Sequence, residues 1–251
     1  MLWYKSWLET RWRFLIGFAL LLCSAAGSVL VYPQIARLTA SVPVNAPGIL
    51  GEKIREAMEL ARSYRGYVWS HWFGQNLTQM GTLFAILLGT ASLLSESSGA
   101  LFTLSLPVPR RRLLHVRAAA GLAELFAIVF VPSLLVALLA PAIGEHYGIG
   151  AVLIHAFCFF VGAALFFTLS LLLSTIFGDP WRPVMIAVGI AIALAIVDQL
   201  SHVSMFGVFR VMSGERWFRE ARMPWAGLIA IAAATATIYY GALRNLARRD
   251  F

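Results

Sequence analysis

Two carboxylates, Glu124 and Asp198, are the residues whose type and place could do chemistry, because each stands inside a long apolar block. A charge in hydrocarbon is costly, so an acidic residue in a membrane-spanning helix faces other helices or a wet cavity. Each is a candidate polar point on a translocation path; the alternative is a hydrogen bond between helices or a neutral, protonated acid. We expect Glu124 in the inner half of its helix and Asp198 in the outer part of another, so their depths argue against one shared site.

The motifs of common catalytic and nucleotide-binding sites are missing. The chain holds no Gly-x-x-x-x-Gly-Lys-Ser/Thr, no His-Glu-x-x-His and no Gly-x-Ser-x-Gly. Its five histidines are scattered, and only His155 lies well inside an apolar block, where a packing role is commoner than metal binding. Cys23 and Cys158 each lie inside a separate apolar run, where a small apolar packing role is the simplest interpretation. We therefore predict no enzyme activity, no metal site, no bound cofactor and no nucleotide-binding domain in this chain.

The apolar content of the chain indicates the surroundings in which these residues act. Of the 251 residues, 60% are hydrophobic, against about 45–50% in soluble domains. They gather in blocks of about 20, the length that a helix needs to cross about 30 Å of hydrocarbon. The blocks lack the alternation of an outer-membrane barrel, so we predict an all-α integral membrane protein. The net charge of +8 comes from arginines near block ends, which favours contact with lipid headgroups over nucleic-acid binding.

We predict six transmembrane helices in a single domain that covers residues 1–251. Their approximate ranges are Phe14–Tyr32, Phe73–Leu94, Ala118–Ala140, Ala151–Thr175, Val184–Val203 and Trp225–Leu243. The first has an alternative interpretation as a cleaved signal peptide, because cations precede it and Ser24-Ala25-Ala26 could be a cleavage site. The apolar run continues to Tyr32, however, and is therefore long enough to span.

Arginines indicate which helix ends face the cytoplasm. Arg110, Arg111, Arg112 and Arg117 crowd the loop between the second and third spans, whereas the next loop, Pro141–Gly150, has no Lys or Arg. Positive residues in short loops mark the cytoplasmic side, and those in the longer outer segments weigh less. We therefore predict that both the N-terminus and the C-terminus are cytoplasmic.

Three segments outside the spans are expected at membrane surfaces. Residues 1–13 combine tryptophans with cations, which suits a helix lying in the inner interface or a plain aromatic anchor. In the outer segment 33–72, Pro33 and two later prolines should prevent a continuous helix at first. From Gly48 onward the apolar spacing predicts an amphipathic helix, which caps the span ends or, as the alternative, grips substrate. Residues 204–223 carry four aromatic rings among arginines, which predicts short helices dipping into the outer interface.

The stretch 96–117 between the second and third spans is both charged and patterned. A glycine leads a short apolar run, which a Pro-x-Pro sequence ends because proline disfavours helix in the residue before it. Basic residues then anchor the start of the third span at anionic lipid heads. A short, sharply ended helix of this kind fits a groove in a partner protein. The residues that define it are Glu96, Gly99, Leu101, Phe102, Leu104, Pro107, Arg110, Arg111 and Arg112.

This arrangement resembles the permease subunits of ABC-2 type exporters, the membrane components of one class of ATP-binding-cassette transporters. In that family an acidic residue precedes Gly-Thr-Leu, an apolar run, a proline and basic residues that lead into the third span. The matching residues here are Glu96, Gly99, Leu101, Leu104, Pro107 and Arg110–Arg112. The basic tail Leu243–Phe251 is similar as well. The chain departs from the pattern at Ser98, Ala100 and Phe102, where the family has an acid, a threonine and a second acid.

The resemblance implies a partner and a mechanism. Two six-span permeases pair as a homodimer or heterodimer in the bacterial cytoplasmic membrane, among its lipids, and each docks on a cytoplasmic ATPase subunit that binds ATP and Mg. The segment 96–106 acts as a coupling helix in a groove of that ATPase. An interior with few fixed charges favours an amphiphilic or lipid-like substrate. The alternative function is a membrane scaffold or assembly protein with the same fold and no transport.

Overall fold

Long apolar runs without alternation form long helices in this chain. A computed structural model describes residues 2–41, 55, 58–90, 110–200 and 207–248, and throughout this part of the chain every regular element is helical. Five of the helices are long and apolar enough to cross a membrane. The expectation of an all-α protein is therefore confirmed for the described residues, and the five helices have the length and composition of those in a multi-pass membrane protein. These five correspond to the predicted first, third, fourth, fifth and sixth spans.

We number the helices in chain order, with α2 as a composite helix that changes type twice. They are α1 (Leu2–Ser41), α2 (α-helical over Tyr64–Tyr67, π-helical over Val68–Gly81 and α-helical over Thr82–Gly89), α3 (Arg110–Leu139), α4 (Ile149–Ile176), α5 (Trp181–Leu200), α6 (Val208–Ser213), α7 (Glu215–Glu220) and α8 (Trp225–Arg248). The predicted second span falls on α2, although its last four residues lie outside the described part of the chain. A single 3-10 turn, Ala140–Ile143, follows α3.

Helix α1 differs from the prediction at both ends. Of the two interpretations of residues 1–13, a separate interfacial helix is wrong and an aromatic anchor stays open, because α1 runs without interruption from Leu2 to Ser41. The break expected at Pro33 is absent for the same reason. A proline inside a helix removes one backbone hydrogen bond, which neighbouring helices can compensate for by packing. Here the preceding residue, Tyr32, packs on the rings of Tyr64 and Tyr67, with ring centroids 4.9 and 5.2 Å apart. That contact holds α1 against α2 directly at the proline.

The π-helical part of α2 has 14 residues, whereas most π-helices are a single turn inside an α-helix. Polar side chains tie it to three neighbours. The indole of Trp69 donates to the Ser213 carbonyl of α6 at 3.1 Å. The indole of Trp72 donates to Ser133 of α3 at 3.4 Å. The amide of Asn76 donates to two serines of α1 at 3.1 and 3.3 Å. These tertiary bonds favour a winding that local sequence alone does not.

Helix α4 is the centre of the bundle and contacts α2, α3, α5, α6 and α8. Its aromatic side chains fill the core together with those of α2. The five largest side chains that are fully buried are Trp72, Phe73, Phe159, Phe166 and Phe167. The close packing extends to the backbone, because a Cβ added at Gly89 would collide with the Phe167 carbonyl oxygen. The C-terminal end of α2 is therefore packed directly on α4.

The segments outside the spans are described only in part. The amphipathic helix predicted from Gly48 lies mostly outside the described residues, of which 58–62 are helical. Residues 208–220 form two short helices, α6 and α7, as expected. Two of the rings pack inward: Phe209 stacks on Phe166 of α4, and Phe218 stacks on Trp69 of α2. These two contacts bind the segment to the bundle.

Candidate functional site

Glu124 is buried on α3, with 6% of its surface exposed. One of its carboxyl oxygens, Oε1, accepts a hydrogen bond of 2.6 Å from the Thr10 hydroxyl of α1. The other, Oε2, is buried and has no partner among the described residues. Of the two roles considered for Glu124, the structure therefore contains the interhelical hydrogen bond, and the residue does not line the cleft described below.

Arg117 lies on the same face of α3 as Glu124, two turns earlier, and only 4% of its surface is exposed. Its guanidinium pairs with the Glu9 carboxylate of α1 at 3.0 Å and donates to the Ser6 carbonyl at 3.3 Å. A buried charge is tolerated when it is paired and hydrogen-bonded. Arg117 thus joins α3 to the first turns of α1. Its pairing offsets the cost of burying its charge.

The end of α2 is held by two arginines from different helices. Arg13 of α1 donates to the carbonyl oxygens of Leu87 and Thr90 at 3.0 and 2.9 Å, and Arg117 of α3 donates to the same Thr90 oxygen at 3.4 Å. The last carbonyls of a helix lack intrahelical partners and carry partial negative charge, so cations stabilise them. We call this group, Glu9, Thr10, Arg13, Arg117, Glu124 and Thr90, the arginine clamp.

The arginine clamp lies next to the segment 96–117, which contains the predicted coupling helix. Thr90 is the last described residue before that segment, and Arg110 begins α3 after it. The Thr90 hydroxyl also contacts the Ser170 hydroxyl of α4 at 2.8 Å. Arg111 and Arg112 are exposed in the first turn of α3. The remaining predicted coupling residues lie outside the described part of the chain, and they are Glu96, Gly99, Leu101, Phe102, Leu104 and Pro107.

A cleft of about 900 Å³ opens between α2, α5 and the short helices α6 and α7. Apolar side chains such as Leu83, Ile86 and Ile192 line the cleft between α2 and α5, together with the polar Thr78, Gln79 and Thr82 of α2. The charged groups gather where α5 meets α6 and α7, and they are Asp198, Arg210, Glu215 and Arg219. The cleft is therefore amphiphilic along its length.

Asp198 has a structural contact at the polar end of this cleft. Its carboxylate accepts a 2.7 Å hydrogen bond from the backbone amide of Phe209, in the first turn of α6. The Arg210 side chain donates to the Asp198 backbone carbonyl at 3.3 Å. An acidic side chain at the beginning of a helix satisfies an amide that has no intrahelical partner. Asp198 and Glu124 thus lie in different places, as their depths in the sequence suggested.

Two aromatic rings and two arginines pack together where α2 meets α7. The rings of Trp69 and Phe218 are parallel within 5°, with centroids 4.3 Å apart. Arg65 lies over the ring of Phe218 at 5.6 Å and Arg219 over that of Trp69 at 5.9 Å. Cation–π and stacking contacts of this kind add to the area that the rings bury. The stack fixes α7 on α2.

His155 has the packing role that the sequence favoured. Its ring, 1% exposed, stacks on Phe73 and makes a 3.1 Å hydrogen bond to the Ser213 carbonyl, the oxygen that also accepts from Trp69. Ser213 precedes Gly214, whose φ of 65° lies in the left-handed region. Across the described ranges, no three His, Cys, Asp or Glu side chains come together as a possible metal site.

The arginine clamp was not predicted from the sequence. A seven-residue spacing places Arg117 and Glu124 on one face of α3, and a four-residue spacing does the same for Glu9 and Arg13 of α1. Both pairs were visible in the sequence as charges near the ends of apolar blocks. What pairs them with each other is the contact between α1 and α3, which spacing within one helix cannot supply.

Comparisons with protein-family models, with curated proteins and with solved structures found no match to this chain.

Proposed function

We propose that this chain is the transmembrane permease of an ABC-2 type exporter, which couples ATP hydrolysis on a separate cytoplasmic ATPase subunit to the transport of an amphiphilic substrate. The observation that carries the proposal is the arginine clamp on Thr90. In the family that the sequence resembles, the residues after this point form the coupling helix. A coupling helix works only if force applied to it reaches the spanning helices, and the clamp supplies that mechanical connection.

Force on the segment 91–109 has two routes into the bundle. Through Thr90 it reaches α1 by way of Arg13, α3 by way of Arg117 and α4 by way of Ser170. Through Arg110 it reaches the start of α3 along the chain itself. Four helices therefore share the load at one level of the bundle, and a displacement of the segment moves their ends together.

The proposal includes a sixth crossing and a defined orientation. Helix α2 is the additional span, buried between α1 and α4 and ending beside the first turns of α1 and α3. Both termini and the segment 91–109 then lie on the cytoplasmic side of a bacterial cytoplasmic membrane, and α6 and α7 lie outside. The positive residues of the loop before α3 support this orientation.

The amphiphilic cleft supports the proposed substrate class. It joins an uncharged part between α2 and α5, which includes Leu83, Ile86 and Ile192, to a charged end at α6 and α7. In the proposed orientation the polar end lies at the outer membrane surface and the apolar end toward the bilayer centre. An amphiphile also has a polar headgroup at one end and an apolar chain at the other, so substrate and cleft match in polarity along their length. The second permease of the pair would complete the path.

Co-purification with an ATPase tests the proposal. Tagged wild type, Gly99→Pro/Leu101→Asp and the clamp variant Arg13→Met/Arg117→Met are purified from membranes, and co-purifying proteins and ATPase activity are measured. We expect wild type and the clamp variant to bring down a P-loop ATPase and the coupling-helix variant to lose it. The clamp variant should hydrolyse ATP without transport-linked movement of α3. If no ATPase accompanies wild type under conditions that preserve complexes, the proposal fails and the scaffold alternative replaces it.

Cysteine labelling from each side of the membrane tests the sixth crossing. In a background with Cys23→Ser and Cys158→Ser, a single cysteine is placed at Glu59, before α2, or at Arg111, after it; both positions are exposed. We expect a membrane-impermeant maleimide to label position 59 in intact cells and position 111 only after the membrane is opened. Labelling of both from the same side would exclude α2 as a span.

A further inference from the structure

The charged end of the amphiphilic cleft holds two opposite charges that lie side by side. Asp198, near the end of α5, and Arg210, on α6, both line the cleft. The Arg210 side chain donates to the backbone carbonyl of Asp198 at 3.3 Å, so its guanidinium lies beside that residue. The Asp198 carboxylate uses Oδ2 to accept a hydrogen bond from the Phe209 amide at 2.7 Å. A negative and a positive group therefore lie at one corner of the cleft.

These two side chains are not paired with each other. Among the described residues, neither Asp198 nor Arg210 forms an ion pair, whereas Glu215 and Arg219, the other two charges of the cleft, pair at 2.9 Å. The connection between α5 and α6, residues 201–206, contains no Asp, Glu, Lys or Arg.

The atoms of Asp198 and Arg210 that are not hydrogen-bonded are accessible. Both residues are half-buried. Their remaining polar atoms, Oδ1 of the carboxylate and Nε and Nη1 of the guanidinium, are not among the buried, unpartnered atoms of the described part of the chain. These atoms therefore reach accessible surface on two residues that line the cleft. Groups of both signs are thus open to a ligand.

The rest of the cleft is uncharged and opens to the outside of the bundle. The cleft residues of α2, and those of α5 before Asp198, are all apolar or uncharged polar residues. Two of them, Leu83 on α2 and Ile192 on α5, are exposed on the outside of the bundle. A spanning helix such as α5 meets hydrocarbon there. An apolar chain that is attached to a group at Asp198 and Arg210 can therefore pass between α2 and α5 into the bilayer.

The signs of the two charges decide the class of headgroup. A cation alone would be attracted by Asp198 and repelled by Arg210, and for an anion alone the two effects are exchanged. Such a mismatch is costly in the low dielectric between membrane helices. A headgroup that carries both signs gives each side chain an opposite partner, and singly charged competitors are disfavoured by the same two residues.

We propose that the amphiphilic cleft binds a lipid-like molecule with a zwitterionic headgroup, whose phosphate contacts Arg210 and whose ammonium group contacts Asp198. Its acyl chains lie between α2 and α5. The planar guanidinium of arginine suits phosphate oxygens, and a carboxylate oxygen accepts from an ammonium group. Phosphatidylethanolamine has this chemistry. As the substrate class of the exporter this inference rests on the proposed function, but as a binding site it does not.

Native mass spectrometry of the purified chain in detergent, without an ATPase, tests the proposal. The chain is titrated with three lipids that share the same acyl chains: zwitterionic phosphatidylethanolamine, anionic phosphatidylglycerol and a cationic trimethylammonium lipid. We expect the first lipid to bind about tenfold more tightly than either of the others, the value of one charge-assisted hydrogen bond. Equal affinities for the three lipids would overturn the proposal. Displacement of the bound lipid by free phosphoethanolamine at equal concentration would overturn its amphiphilic part and identify a soluble zwitterion as the ligand.

Two variants of the cleft should change the headgroup preference in opposite directions. Asp198→Asn keeps an acceptor for the Phe209 amide but removes the negative charge, so phosphatidylglycerol should gain affinity relative to phosphatidylethanolamine. Arg210→Gln removes the positive charge, so the cationic lipid should gain instead. Asp179→Asn and Arg182→Gln are the matched controls, because this exposed pair lies at the opposite end of α5, and neither should change the preference. The same shift in both cleft variants, or an equal shift in the controls, would refute the two contacts.

A pair of tryptophan variants tests the apolar part of the site. Ala195 lines the cleft, whereas Ala193 is exposed on the opposite side of α5. Ala195→Trp should therefore abolish the preference for phosphatidylethanolamine and Ala193→Trp should keep it; if Ala195→Trp also keeps it, the chains do not lie between α2 and α5. The results also separate this site from the proposed function. A chain with the expected preference that brings down no ATPase keeps the site and refutes the exporter, and a chain that brings down an ATPase but shows no preference does the reverse.

Discussion

Replacing Arg117 by methionine tests the energetic weight of the arginine clamp. Methionine keeps most of the apolar stem of arginine and removes the guanidinium, which pairs with Glu9 and donates to the carbonyls of Ser6 and Thr90. Breaking a buried ion pair from one side costs about 3–5 kcal/mol. The Glu9 side chain is 32% exposed and can regain water, and Arg13 still binds Thr90. We therefore expect a loss near the lower limit, about 3 kcal/mol.

The assay is unfolding of the purified chain in mixed dodecyl maltoside and sodium dodecyl sulfate micelles, with a thermal scan in dodecyl maltoside alone. For a protein of this size, 1 kcal/mol corresponds to about 2–4 °C in Tm, so Tm should fall by about 6–12 °C. Arg111→Met is the matched control, since Arg111 is exposed one helical turn and a half earlier on α3. It should change stability by about 0.5 kcal/mol or less.

A double-mutant cycle separates the ion pair from the other contacts of Arg117. Glu9→Gln alone leaves the buried guanidinium without its carboxylate, and the double variant removes both charges. We expect the sum of the two single losses in free energy of unfolding to exceed the loss in the double variant by at least about 1 kcal/mol, because residues in direct contact are energetically coupled. Equal Tm values for Arg117→Met and Arg111→Met, or strict additivity in the cycle, would refute the account of the clamp given above.

Two further predictions concern the rest of the bundle. Gly89→Ala should cost about 1–3 kcal/mol, because the methyl group meets the Phe167 carbonyl, whereas Gly27→Ala should be neutral; thermal scans of the two variants decide. Asp198→Ala should loosen the first turn of α6 at a cost of about 1 kcal/mol, seen as faster trypsin cleavage in the α6–α7 segment, and an unchanged cleavage rate would contradict the contact.

Hydropathy predicted the long helices because the free energy of placing a helix in a bilayer depends on the composition of about 20 consecutive residues. Five of the six predicted ranges overlap helices that are long and apolar enough to span, and the last three residues of the fifth range lie outside the described part of the chain. The prediction failed at Pro33, where the local cost of a proline is offset by packing of Tyr32 on two other tyrosines. A rule about one residue could not include contacts with a distant helix.

The winding of α2 and the pairing of its neighbours were beyond the reach of local patterns. A π-helix and an α-helix place the same residues in different columns, and which one forms depends on partners such as Ser213 and Ser133, far along the chain. For Glu124 the sequence limited the choices to a polar point on a path or an interhelical bond. It could not identify Thr10 as the partner, because 114 residues separate them.

The three attachments of the π-helical part of α2 have a mechanical consequence. They point to three sides of the helix, toward α6, α3 and α1, at successive levels from Trp69 to Asn76. A rigid rod held on three sides cannot turn about its axis without breaking bonds on all of them. A torque applied to α2 at Thr90 would therefore have one of two effects. It would rotate α2 together with α1, α3 and α6 as one body, or it would convert π turns into α turns in the stretch from Leu77 to Gly81, between Asn76 and the last α-helical part of α2.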